Sequence, residues 1–220
     1  MERKLLTVAI ATNNQGKLEE LRALFEDVPV ELVRVVDVTG QPFWVVEDGD
    51  TFEANAALKA RAGCAATGLV CMADDSGLEV EGLAGRPGVR SARFAGPSAS
   101  DAANNDALLD ALSGVGATGR RARFRCVLSL AIPGRETLHS ATGLCQGSIV
   151  AEPRGRGGFG YDPLFESDDC AGRTMAQLTD QEKNRVSHRA RAARALRPQL
   201  LRELEETLRL ADLAMGNGTK

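Results

Sequence analysis

The chain has 220 residues, 43% of them hydrophobic, with a net charge of −3 and a pI near 5.6. That length suits one domain, residues 1–220, with room for two lobes and a sizeable core, and the acidic balance argues against a general nucleic-acid binder while leaving room for a local basic pocket. The five cysteines are odd in number and widely spaced, with no zinc-type pairing, so free thiols in a reducing, cytoplasmic setting are expected; no run is long enough to span a membrane.

The first residues read as a charged start followed by a strand rather than a signal peptide, with the strand at Leu5–Ala11. Thr12-Asn13-Asn14-Gln15-Gly16-Lys17 is a polar turn, after which Leu18, Leu21, Leu24 and Phe25 recur at helical spacing. Strand, glycine turn and helix start form an arrangement that can hold a phosphate on backbone amides and a lysine. It is not a Walker A loop, since the leading glycine and the hydroxyl after Lys17 are missing. Val30–Val38 reads as a second strand, and Gly40–Asp50 as a loop carrying Trp44 and the acids Glu47, Asp48 and Asp50. An alanine-rich helix follows to Thr67, closed by Gly68. Acids near its start, Glu47 and Glu53, are ordinary partners of a helix dipole.

The apolar run Leu69–Ala73 has strand length and ends in Asp74-Asp75, with Ser76 and Gly77 expected to break it. Two adjacent carboxylates at the carboxyl end of a strand read either as a cation or acid/base site or as a polar turn that satisfies its own amides. Pro87-Gly88 turns the chain, Arg93 reads as structural, and Ser100 caps a scaffold helix through Leu112. Arg121–Ile132 and Thr137–Val150 form an antiparallel hairpin around Pro133-Gly134, with no role for His139. Arg154–Pro163 is a glycine-rich loop with Phe159, Gly160, Tyr161 and Asp162. On residues alone a hydrophobic lid contact comes ahead of base stacking there. Thr179–Glu182 is a capping box. On one unbroken helix Lys183 and Arg189 would lie on different faces, so a break is predicted before His188, with Ser187 as N-cap, which lets Lys183, His188 and Arg189 converge. A further helix is expected to start at Pro198, and the residues from Gly216 to Lys220 to form a frayed tail.

Five of these stretches, TNNQGKLEE, TFEANAALKAR, ADDSGLEVEGLAGRPGVRSAR, FGYDPLF and KNRVSHR, resemble in order the motifs of the inosine triphosphate pyrophosphatase family. The resemblance implies an α/β fold with a long mixed β-sheet flanked by helices, two lobes and a central active-site cleft, assembled as a homodimer. It implies hydrolysis of ITP, dITP and XTP to the monophosphate and pyrophosphate with Mg²⁺. By the same resemblance Thr12–Lys17 bind substrate, with Lys17 and Ser76 on phosphate. Asp75 is metal ligand and general base, Asp74 shares the metal or orients water, and Glu47, ahead of Glu53, is the second metal ligand. Phe159, in the loop with Gly160 and Tyr161, stacks on the base, and Asp162 bonds it. Lys183, His188 and Arg189 complete the site, with Arg189 the favoured reader of the purine 6-carbonyl. A Maf-like pyrophosphatase and a nucleotide-binding module without turnover are the alternatives.

Overall fold

A computed structural model describes residues 5–170 and 172–216. One six-stranded mixed sheet runs through the molecule in the order β2-β1-β3-β4-β5-β6. Its strands are β1 (Leu6–Ile10), β2 (Val30–Arg34), β3 (Cys71–Val80), β4 (Arg121–Ala131), β5 (Leu138–Ile149) and β6 (Phe165–Ser167). The helices are α1 (Gln15–Leu24), α2 (Val35–Thr39), α3 (Phe52–Thr67), α4 (Asp101–Ala111), α5 (Asp180–Val186) and α6 (His188–Gly216). β1 is parallel to β2 and β3, and the β4–β5 hairpin extends the sheet antiparallel, as its alternating sequence predicts.

Packing divides along the long strands. Val8, Ile10, Met72, Leu128 and Leu130 meet Leu18 and Leu21 of α1 and Leu196, Leu200 and Leu204 of α6. Each fully buried leucine there contributes roughly 1.5–3 kcal/mol. Further along, Leu78, Val80, Phe124 and Cys145 pack with Leu108, Tyr161 and Phe165. Asp74 and Ser76 lie between these two clusters, on strand residues between Met72 and Leu78. On the opposite face α3 packs closely over Ala9, Cys71 and Ala73 through Ala60.

Three expectations about elements are corrected. The second strand stops at Arg34, because Val35–Thr39 curls into α2. Arg34 pairs with Asp37 at 2.7 Å, and Gly40, left-handed at φ 66°, closes the turn with its N–H on the Val36 carbonyl. Ser76 and Gly77 do not break a strand. β3 pairs with β4 at every residue from Cys71 to Val80, and a Cβ on Gly77 would collide with Ser91 Oγ and the Gly88 carbonyl. Pro198 does not start a helix but lies inside α6, where the buried stripe Ala192-Leu196-Leu200-Leu204 continues across it against the sheet. Of the expected C-terminal tail, residues 217–220 fall outside the described residues.

Candidate active site

β1 pairs with β3 only at Cys71 and Met72, then turns away into the Thr12–Lys17 loop. The edge of β3 beyond Met72 is therefore uncovered by any strand until Ser91 Oγ accepts from Leu78 N–H at 2.8 Å. Asp74, Asp75 and Ser76 sit on this open edge, inside the strand rather than in a loop after it. Successive side chains of a strand point to opposite faces, so the two carboxylates part company: Asp74 joins α1 and α6, and Asp75 joins α3.

On the first face, charges alternate in a chain. Asp162 accepts from Lys183 Nζ at 2.6 Å, Lys183 lies 2.6 Å from Glu20, and Glu20 pairs with Arg189. Arg189 Nε donates to Asp74 at 2.8 Å, and Lys17 Nζ lies 2.5 Å from Asp74. Ser76 Oγ also donates to Asp74 at 2.8 Å while accepting from Arg189 Nη2 at 3.0 Å. Burial pushes the Asp74 carboxyl up, but Arg189 and Lys17 override it and hold the group well below the usual carboxylate range. Glu20 is likewise pulled down to about 2 by Arg189 and Lys183 against its burial. The break predicted at Ser187 makes this convergence possible: Ser187 is extended at φ −64°, ψ 156°, ends α5, and its Oγ accepts from Ala190 N–H at 3.2 Å.

On the second face, Lys59 Nζ lies 2.7 Å from Asp75 and 3.3 Å from Glu47. Asn55, one turn earlier on α3, donates to Asp75 at 3.4 Å. Thr51 caps this helix by accepting from Ala54 N–H at 3.1 Å, which aims Asn55 and Lys59 from one face at the strand. Burial outweighs Lys59 and Lys17 at Asp75, so its carboxyl is raised above the ordinary value. Glu53 points elsewhere, to Arg125 at 2.5 Å. Among the described residues no cluster of three or more ligating side chains occurs. Glu47 and Asp75, sharing one cation, are a two-carboxylate set. That set suits Mg²⁺, which takes one or two carboxylates together with substrate phosphates and water.

Two adjoining cavities share Asn14, Lys17, Ser76 and Ala92. One is lined by Lys17, Glu47, Lys59, Asp75 and Arg93, and the other by Phe124, Phe159, Tyr161, Asp162, Lys183 and His188. In the second, Phe159 lies over Lys183 and Arg189, with 4.8 and 5.6 Å from cation to ring centroid. Asp162 accepts from Phe159 N–H at 3.0 Å, so its buried carboxylate braces the loop as well as Lys183. His188 stacks on Phe124 at 4.7 Å. Burial, then Arg189, lowers its pKa to about 3, so it is neutral at physiological pH, and its buried Nδ1 has no protein partner.

The sequence-predicted residues thus gather with a few exceptions. Gln15 turns along α1 to Glu19, and Asn13 donates to the Phe43 carbonyl at 2.9 Å. Thr12 and Asn14 shape the loop: Thr12 Oγ1 accepts from Asn14 N–H, and Asn14 Oδ1 from Lys17 N–H. Arg189 turns its guanidinium to Asp74, Glu20 and Ser76. Lys59, Asn55 and Phe124 received no role from sequence; Asn55 and Lys59 at i, i+4 after a good N-cap were the available signal.

The Ham1 family matches residues 8–199. A dITP/XTP pyrophosphatase of Syntrophobacter fumaroxidans is 50% identical over 209 residues, 95% of this chain and 85% of that protein. A dITP/XTP pyrophosphatase of Geobacillus kaustophilus is 50% identical, over 84% of this chain and 89% of its own. Among solved structures, the Staphylococcus aureus Ham1 protein superposes with a TM-score of 0.77 at 41% identity, covering 88% of this chain and 97% of its own. A nucleoside-triphosphatase / dITP/XTP pyrophosphatase from Mycobacterium abscessus gives 0.69 at 45%, covering 87% and 98%. The sheet, the charge chain on its open edge and the extent of these matches lead to one assignment: the chain belongs to the Ham1 family.

Proposed function

We propose that this protein hydrolyses non-canonical purine nucleoside triphosphates, dITP and XTP with ITP, to the monophosphate and pyrophosphate. The observation that carries the reading is the pair of adjoining cavities on one open strand edge, one ringed by lysines and carboxylates and the other by aromatics and a neutral histidine. The names of the relatives at 50% identity support it.

In this reading the triphosphate lies along Asn14, Lys17 and Lys59, and the purine beneath Phe159. Asp74, buried and saturated with donors, holds Lys17 and Ser76 in place for phosphate oxygens as charge develops there. Asp75, which faces the cavity lined by Lys17 and Lys59, is the base that takes the proton of the attacking water. Glu47 and Asp75 would hold Mg²⁺, which when bound neutralises phosphate charge and polarises the phosphoryl oxygen. Beside Arg189, whose Nε and Nη2 bond Asp74 and Ser76, the imidazole of His188 lines the aromatic cavity and serves as a hydrogen-bonding group for the purine edge. As a donor it matches the 6-carbonyl of inosine and xanthosine and opposes the 6-amino group of adenosine. The same reading carries a homodimer, on the family resemblance, and a cytoplasmic setting, supported by free thiols at Cys64, Cys71, Cys126, Cys145 and Cys170. No helix among the described residues is long and apolar enough to cross a membrane.

Phosphorus NMR of a dITP digest with Mg²⁺ tests the reaction: pyrophosphate and dIMP should appear together. Inorganic phosphate with dIDP as first products would overturn it.

A further inference from the structure

α4 lies outside every motif that the sequence tied to chemistry, yet it grips the loop that carries Phe159. Asp101 and Asn105 are one turn apart on its first two turns and so share a face. Asp101 Oδ2 accepts from Gly160 N–H at 2.6 Å, and Asn105 Nδ2 donates to the Gly160 carbonyl at 3.0 Å. Gly160 is left-handed, with φ 61°, a conformation that suits glycine. Asn105 Oδ1 is buried without a partner, so the bond to Gly160 is the one its amide makes.

The helix itself is anchored. Ser100 caps it by accepting from Ala103 N–H at 3.2 Å. Asn104, between the two gripping residues, accepts from Ala95 N–H at 2.9 Å and donates to the Ala92 carbonyl at 3.2 Å. That segment also holds Ser91, whose carbonyl accepts from Tyr161 Oη–H at 2.9 Å and whose Oγ accepts from β3. The loop from Phe159 to Tyr161 is thereby fixed at two consecutive residues to a post rooted beside the open strand edge. Neither Asp101 nor Asn105 bonds to Lys17, Lys59 or Asp75.

We propose that Asp101 and Asn105 are positioning residues that clamp Gly160 and thereby set the plane of Phe159 against the purine. This rests on the reading of the Phe159–Asp162 loop as the base site. The clamp acts on binding of the base and leaves the phosphate end untouched.

Hydrogen–deuterium exchange on the ligand-free protein and kinetics with two substrates test it together. Asp101→Ala should speed exchange at the Gly160 amide, whereas Asp101→Asn, which keeps an acceptor oxygen, should leave it close to wild type. Asp101→Ala and Asn105→Ala should each raise KM for dITP by about tenfold, the scale of one lost hydrogen bond, with kcat within about twofold. A base-free deoxyribose triphosphate should be cleaved equally by wild type and variants. Unchanged exchange at Gly160, or equal losses on dITP and on the base-free substrate, would overturn the proposal. If wild type itself failed to cleave dITP, the base-site reading would fall, and with it the role in purine binding; the exchange arm would still report whether the clamp exists.

Discussion

Asp74 is 1% exposed and takes hydrogen bonds or ion contacts from Lys17, Arg189, Ser76 and Cys126, whereas Asp75 faces a cavity with one lysine and one amide. A carboxylate saturated with donors is a poor proton acceptor, whereas one that faces an open cavity can take a proton from a water held there. Asp75→Asn should therefore lower kcat by about 10²–10⁴-fold with a melting temperature near that of wild type, read by initial rates and a circular dichroism melt. A near-normal rate at saturating Mg²⁺ would move the base elsewhere. His188 gives a separate test through pH. Its imidazole stays neutral in the fold down to about pH 3, while the unfolded chain takes a proton near 6.5. Between those values the unfolded state binds more protons. The stability from the neutral, buried ring is thus fully present above about pH 6.5 and is lost as pH falls towards 3, at up to about 1.4 kcal/mol per pH unit. Urea titrations should show a shallower acid loss for His188→Gln than for wild type. Equal slopes would mean that the ring protonates in the fold.

α1 and the Phe159 loop meet at Gly16, and their contact explains a residue that helix propensity disfavours. Gly16 is the second residue of α1 and does not have positive φ, so alanine there would favour the helix by about 1 kcal/mol. A Cβ at Gly16 would, however, approach Phe159 Cδ1 to 2.7 Å and Cε1 to 2.9 Å, forcing the ring to shift. Gly16→Ala should lower kcat/KM for dITP by about tenfold in wild type and hardly at all in Phe159→Ala, a coupling of about 1.4 kcal/mol. Additive losses in that double-mutant cycle would mean that Gly16 acts through the phosphate loop alone. At this scale the sequence was legible where local chemistry decides. The caps at Ser100 and Thr179, the β4–β5 hairpin and the break at Ser187 all carry their signal within a few residues. It was illegible where a distant partner decides. Ser76-Gly77 reads as a turn, yet pairing with β4 carries the strand through it. The run of valines after Arg34 reads as strand, yet an ion pair and a glycine cap turn it into helix. Lys59 reads as helix filler because Asp75, its partner, lies on another element.

The molecule as a whole leaves β3 half-covered, and the segment from Gly40 to Asp50 borders that opening without joining the sheet. It is held by Asn13 on the Phe43 carbonyl, Arg93 on the Glu47 carbonyl at 3.4 Å, Lys59 on the Glu47 side chain, and Gly49 N–H donating to Asn55 at 2.9 Å. Phe43, Val45 and Glu47 turn inward, while Trp44 and Val46 are 81% and 80% exposed. A strap with isolated side-chain bonds and no backbone ladder belongs to the low-stability end of a fold, where ligand-driven motion arises. Glu47, one of the two carboxylates assigned to Mg²⁺, is the grip by which a bound metal–triphosphate would draw the strap inward. Trp44 is the only tryptophan in the chain, so its emission reports this strap alone. Adding Mg²⁺ with an α,β-imido analogue of dITP should shift that emission to the blue and protect it from iodide, with neither component sufficient alone. Glu47→Gln should lose most of the response while the analogue still binds by calorimetry, because Lys17 and the Phe159 loop remain. An unchanged Trp44 spectrum at saturating analogue would show that the strap is already closed, and that Glu47 meets its cation without any movement of the chain.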